Sequence, residues 1–131
     1  MIVSHPPYAL DPTPFRFPAL AGLAGRAPLG GQREVAIATY LAARLAHDAL
    51  PQRALSGAVR AERATGAKTW LSTMALPAAV RPALAKLVDA TGGGPAQTAE
   101  ALRAVITVTA NLLDGRAKSE LDQLAAALEK S

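Results

Sequence analysis

Two histidines, five aspartates, five glutamates and no cysteine limit the chemistry this chain can carry. His5 lies among prolines, and His47 directly precedes Asp48. Neighbouring residues on a helix point about 100° apart, so His47 and Asp48 do not form a dyad. His47 falls in the last turn of an expected helix, where an imidazole interacts favourably with the helix dipole. Glu120 and Asp122 are the one close carboxylate pair, and two positions apart they face different ways, so paired acid–base chemistry has no support. A metal site needs convergent His or carboxylate ligands, and neither H-E-x-x-H nor the D-x-D-x-D-G string of a calcium loop occurs. Without cysteine there is no disulfide or thiolate–metal scaffold. Gly92-Gly93-Gly94-Pro95 could offer free amides to a phosphate, but Ala96, Gln97 and Thr98 follow in place of the Lys-Ser or Lys-Thr of a nucleotide loop. A helix end plus linker accounts for these glycines better. The expectation is a protein that is not an enzyme, with no catalytic residue, no cofactor and no metal ligand.

What remains are residues suited to contact. Tyr8, Phe15 and Phe17 are three of the five aromatic residues in the chain. Arg63 and Trp70 are seven apart, so they share a helix face with Val59 and Met74. An arginine in such a stripe stacks on the indole, meets an acidic partner, or lays its stem along the edge of the core. Arginine and tryptophan are also common interface anchors. Tyr8, Phe15, Phe17, Arg63 and Trp70 are therefore the candidate partner-binding residues.

A second set is basic. The net charge is +4, with +5 in residues 44–86 and −2 in residues 87–131. On a continuous helix Arg53, Arg60 and Lys68 fall within about 80° of one another, with Glu62 opposite. Together with Arg81 and Lys86 they are the candidate contacts for a nucleic acid. The stripe has no aromatic interleaving and few short polar side chains to read bases, which makes nucleic acid the alternative partner. The preferred reading of this charge is an arginine-rich helix surface matched by acidic helices of the same molecule or of a twin.

The elements that must position these residues follow from composition. A chain of 131 residues reads as one domain. Of its 66 hydrophobic residues 31 are alanine, the best helix former and a poor strand former. The fold class expected is all-α, a bundle of four to five helices over residues 33–131, preceded by an extended Pro/Gly-rich arm over residues 1–32. That arm holds six of the ten prolines, which remove donors and fix φ. Its aromatic residues need an apolar surface, either the chain's own helical body or a partner.

The first helix should cover residues 33–49 on Ile37, Leu41 and Leu45, with Tyr40 beside them, ended by Pro51. The second starts near Ser56, a good cap, and runs through Val59, Ala67, Trp70 and Met74 to Pro77. A third covers residues 82–91, after a turn at 78–81, with Val80, Leu84, Leu87, Val88 and Thr91 in one stripe. Pro95 opens the next. The β-branched run at 105–109 would read alone as a strand, but Ala99, Leu102, Ile106, Thr109 and Leu113 keep helical spacing and no second strand exists to pair with it. Apolar residues on nearly all sides of 104–113 mark it as the most buried helix. Ala117, Leu121, Leu124 and Leu128 extend the stripe. Gly115 either divides this region in two or is crossed by one helix. Asp114, Lys118 and Asp122, spaced four apart, favour the crossing. A single helix over residues 95–129 would be about 50 Å long and would need another subunit to cover its second half.

These observations point to a non-catalytic helical interaction or structural protein. It would bind a protein partner, or itself as a homo-oligomer, through its helix faces and the arm. A small nucleic-acid-associated regulator is the alternative. A small-ligand binder or enzyme comes third, and a pocket lined by His47, Thr107, Thr109 and Asn111 would mark it. The first seven residues lack the basic and apolar regions of a signal peptide, and the uncharged stretch at 69–80 is broken by Pro77. No membrane span is expected, and a cytoplasmic location is. Ten arginines against four lysines, with so much alanine, suggest a GC-rich bacterial genome.

Overall fold

The computed structural model describes residues 17–26 and 31–131. Among them are six α-helices and no strand: α1 (Pro18–Arg26), α2 (Gly31–Asp48), α3 (Gly57–Leu71), α4 (Val80–Ala90), α5 (Pro95–Val108) and α6 (Gly115–Glu129), with one 3-10 turn at Pro51–Arg53. Local chemistry sets several of the helix starts. Ser56 Oγ accepts the Val59 N–H at 3.2 Å and caps α3. Pro95 opens α5 after an extended Gly94. The β-branched run lies inside α5, with Val105 and Ile106 buried.

The long helix across Gly115 does not form. Asp114 is extended, and its Oδ1 accepts the Ala117 N–H at 2.9 Å, so Asp114-Gly115 is the start of α6. The charge spacing that favoured continuity contains this cap. After residues 109–114 the chain turns back, and α6 packs on α5. Ala117, Leu121, Leu124, Ala125 and Leu128 are buried within this one chain.

Part of the region expected to be an extended arm is also helical. Pro18 is the first residue of α1, a position where its missing N–H costs nothing. Two amides of the first turn find a distant acceptor: Glu120 of α6 takes the Ala19 N–H at 2.8 Å and the Leu20 N–H at 2.9 Å. The helix rests on α2 and α6. Tyr8, Phe15 and His5 lie outside the described residues.

The α3–α4 pair is closed by an exchange of arginines. Helix α3 ends at Leu71, short of Pro77, and Arg81 of α4 donates to the carbonyls of Leu71 (3.2 Å) and Met74 beyond that end. In return Arg60 of α3 donates to the carbonyls of Thr91 and Gly93, past the end of α4. Each guanidinium donates to carbonyls at or just past a helix end, where the helix supplies fewer partners; the Leu71 carbonyl also accepts the Met74 N–H at 3.1 Å. Glu34 at the start of α2 holds the connecting loop by accepting the Ala75 N–H at 2.6 Å.

The centre of the molecule is α2, not the segment 104–113. It touches all five other helices. Val35, Ala36, Ala38, Leu41, Ala42, Ala43, Leu45 and Ala46 are all buried. On α5, by contrast, Ala104 and Thr107 are exposed. Alanine allows neighbours to approach closely from several sides, which a pattern of large side chains does not reveal. Around α2, Leu84, Leu87, Leu102, Leu121 and Leu128 fill the remaining space.

One residue is held in a conformation its side chain disfavours. Ala54 closes the 3-10 turn with φ 54°, and its N–H donates to the Pro51 carbonyl at 3.0 Å. The left-handed region costs an L residue roughly 1–2 kcal/mol. Ala54→Gly should relieve this, less the extra chain entropy of glycine, and raise stability by about 0.5–1 kcal/mol. Urea denaturation measures it; a lower midpoint would mean that the turn carries no strain.

Candidate interaction surfaces

Asp48 is the last residue of α2, and its side chain is 8% exposed. A carboxylate at a helix C-terminus faces the negative end of the dipole, so it needs cations. Arg63 Nη1 approaches one oxygen at 2.6 Å, and Arg53 reaches the other through Nη2 at 3.2 Å and Nε at 3.3 Å. One buried carboxylate thus joins α2, the 3-10 turn and α3.

Of the three options for Arg63, the structure shows the acidic partner, and it belongs to the same chain. Trp70 packs half-buried against the core. Among the described residues the cation over a ring is Arg44, 5.8 Å from the centre of Tyr40. The inward face of α3 is Ala64, Ala67 and Leu71, so the stripe of Val59, Arg63, Trp70 and Met74 runs along its margin. Val59 is 38% exposed. Phe17 is 4% exposed, with its ring edge-on to Tyr40 at 6.5 Å and to His47 at 6.4 Å between centres.

The basic residues do not make a stripe. Arg53 sits in the 3-10 turn and α3 begins at Gly57, so no continuous helix carries Arg53, Arg60 and Lys68. Arg53 is on Asp48, Arg60 and Arg81 hold helix-end carbonyls, and Lys68 meets Asp89 at 2.9 Å. Lys86 is exposed on α4. Nor are His47, Thr107, Thr109 and Asn111 gathered. Thr109 is buried and donates to the Val105 carbonyl, Thr107 and Asn111 are exposed, and His47 stands against Phe17. Among the described residues no group of three His, Asp or Glu side chains is placed to hold a metal, and no helix is long and apolar enough to cross a membrane.

On the opposite hairpin Arg103 ties α5 to α6. It forks onto Glu129 at 3.0 and 3.2 Å and reaches Asp122 at 3.3 Å. The hydrogen bond from Arg103 holds the Glu129 carboxyl below its ordinary range, and the same bond raises the guanidinium. These groups are close to half exposed, so the link is a weak one.

Among the described residues, two of the open grooves lie at helix junctions. One, of about 500 Å³, lies between α4 and α5 and is lined by Lys86, Asp89, Ala90, Gln97, Glu100, Ala101 and Ala104. The other, of about 460 Å³, lies where α1, α2 and α6 meet. Phe17, Pro18, His47, Leu50, Glu120, Gln123, Leu124 and Ala127 line it.

Asp48, Glu34 and Glu120 have structural roles that sequence reasoning missed. Apart from Arg53, five positions from Asp48, their partners lie 15, 41 and 100 or more positions away. No local spacing signals such contacts. Comparisons with family models, with curated proteins and with solved structures find no match, so any functional reading rests on this geometry.

Proposed function

We propose that the chain is a non-catalytic helical interaction protein that takes a helix of a protein partner, or of a second copy, in the groove between α4 and α5. The observation that carries this reading is the composition of that groove. Ala90, Ala101 and Ala104 present nothing larger than a methyl group, and both walls carry polar or charged ends: Lys86 and Asp89 from α4, Gln97 and Glu100 from α5. Small side chains let an incoming helix approach closely, and charges of both signs at the rim set its register. A non-catalytic role fits the use of Glu34, Asp48 and Glu120 as structural acceptors. Self-association has lost one support, because α6 is covered by its own chain. The nucleic-acid alternative has lost its stripe, because four of its five cations are engaged within the molecule. Action in the cytoplasm completes the proposal.

A photo-crosslinking residue in place of Gln97 in the full chain, expressed in cells, tests it. A discrete protein adduct is expected, reduced at least about tenfold by Ala104→Trp, which fills the groove from an exposed position. An adduct of twice the chain mass identifies the second copy, and any other mass a protein partner. The proposal fails if no adduct forms, or if the yield is indifferent to Ala104→Trp.

A further inference from the structure

Between α3 and α4 lies a cleft of about 190 Å³, lined by Lys68, Leu71, Ser72, Leu76, Arg81 and Ala85. Its lining is of two kinds. Leu71, which is buried, and Leu76 and Ala85, which are half-buried, offer hydrocarbon. Lys68 and Arg81 are cations whose methylene stems extend that apolar surface while the charged heads stay near water. The one hydroxyl, of Ser72, donates to the Thr69 carbonyl at 2.6 Å. Among the described residues no carboxylate lines the cleft. Hydrocarbon walls with two cations and no acid select an apolar group that carries a negative charge.

The two cations are held differently. Arg81 donates through Nη1 and Nη2 to the carbonyls of Leu71 and Met74, which leaves Nε–H and a second hydrogen on each Nη for an anion. Those carbonyls lie at the negative end of the α3 dipole, which amounts to about half a charge and offsets only part of the guanidinium. Among the described residues Arg81 is paired with no carboxylate. Lys68 meets Asp89 at 2.9 Å, but these side chains are 51% and 60% exposed. A pair so open to water is weak, and an incoming anion can take the place of Asp89.

Size sets the rest of the ligand. An apolar cavity of about 150 Å³ already holds benzene, so the cleft has room for one ring or a short alkyl tail and none for a flanking peptide unit. We propose that this cleft binds a free small-molecule carboxylate bearing a single aryl or short alkyl tail. The tail lies against Leu71, Leu76 and Ala85, and the carboxylate sits between Lys68 and Arg81. This does not depend on what binds between α4 and α5.

Titration of the ¹⁵N-labelled full chain with hydrocinnamate, followed by amide shifts, tests the proposal. Saturable shifts centred on Leu71, Leu76 and Ala85 are expected, with a dissociation constant on the order of 1 mM. Propanoate, which lacks the ring, and hydrocinnamamide, which lacks the charge, should each bind at least about tenfold more weakly. N-acetylphenylalanine adds a peptide unit beside the same ring and carboxylate, and should bind no more tightly than hydrocinnamate. Ala85→Leu fills the cleft from a half-buried position and should abolish the shifts. Asp89→Asn removes the competitor for Lys68 and should tighten binding about threefold, while Lys68→Gln should weaken it about threefold. Lys68 and Asp89 are exposed, so these two variants test the charge without disturbing the core. Shifts that do not saturate or that centre elsewhere overturn the proposal. So does equal binding of the acid and the amide, or binding that is indifferent to Ala85→Leu or Lys68→Gln. Tighter binding of N-acetylphenylalanine also overturns it, and would identify the end of a protein chain as the ligand.

Discussion

Ala46→Leu is expected to lower the unfolding free energy by about 3 kcal/mol, the upper end for overpacking a well-filled core. Ala46 is fully buried on α2, and α2 is in contact with every other helix. A larger side chain there has no free side toward which to move, and interiors packed like crystals transmit the strain. Thermal unfolding followed by circular dichroism should show a fall of roughly 10 °C for a domain of this size. The matched control is Ala96→Leu on the exposed side of α5, expected within about 0.5 kcal/mol of the parent. Both substitutions exchange one strong helix former for another, so propensity cannot separate them. Equal effects at the two positions would contradict the central placement of α2.

Asp48→Ala is expected to cost about 2–3 kcal/mol, measured by urea denaturation. Removing one partner of a buried ion pair usually costs about 3–5 kcal/mol, because a charge is left behind without compensation. Here the stranded groups are Arg53 and Arg63, whose side chains are 28% and 34% exposed and can turn partly to water. That moves the value below the fully buried range. Asp48→Asn keeps an acceptor but not the charge, and should lose roughly half as much. Added salt should change the parent little, since the carboxylate is shielded from solvent ions. A loss under about 1 kcal/mol for Asp48→Ala would mean that the three groups act as an ordinary surface cluster.

These two sites differ in how far the sequence announces them. The stripes Val80–Leu84–Leu87–Val88 and Leu121–Leu124–Leu128 are read from spacing alone, and all are buried. Ser56 is read as a cap and acts as one. Ala46 carries no such mark, because in a chain with 31 alanines the residue type is the same on buried and exposed faces. Val59 illustrates the reverse error. It is large enough to seem inward-facing, yet it is exposed, while the smaller Ala64 and Ala67 make the contact. Helix α1 was hidden by the prolines around it, and its first-turn amides are completed by Glu120 from the far end of the chain. The break at residues 109–114 was hidden by an Asp-Gly cap embedded in an i, i+4 charge pattern.

The amino-acid order by itself determined the helical class, most helix limits, and the inward turn of the leucine stripes. It could do so because propensity, capping and i, i+4 spacing act within one or two turns. Only the tertiary structure decided that α2 is the centre, that α6 folds back onto its own chain, that Asp48 meets Arg63, and that Glu34 and Glu120 serve partners far along the sequence. Alanine fits a packed interior and a bare surface equally well, and a contact between distant residues leaves no periodic trace near either one.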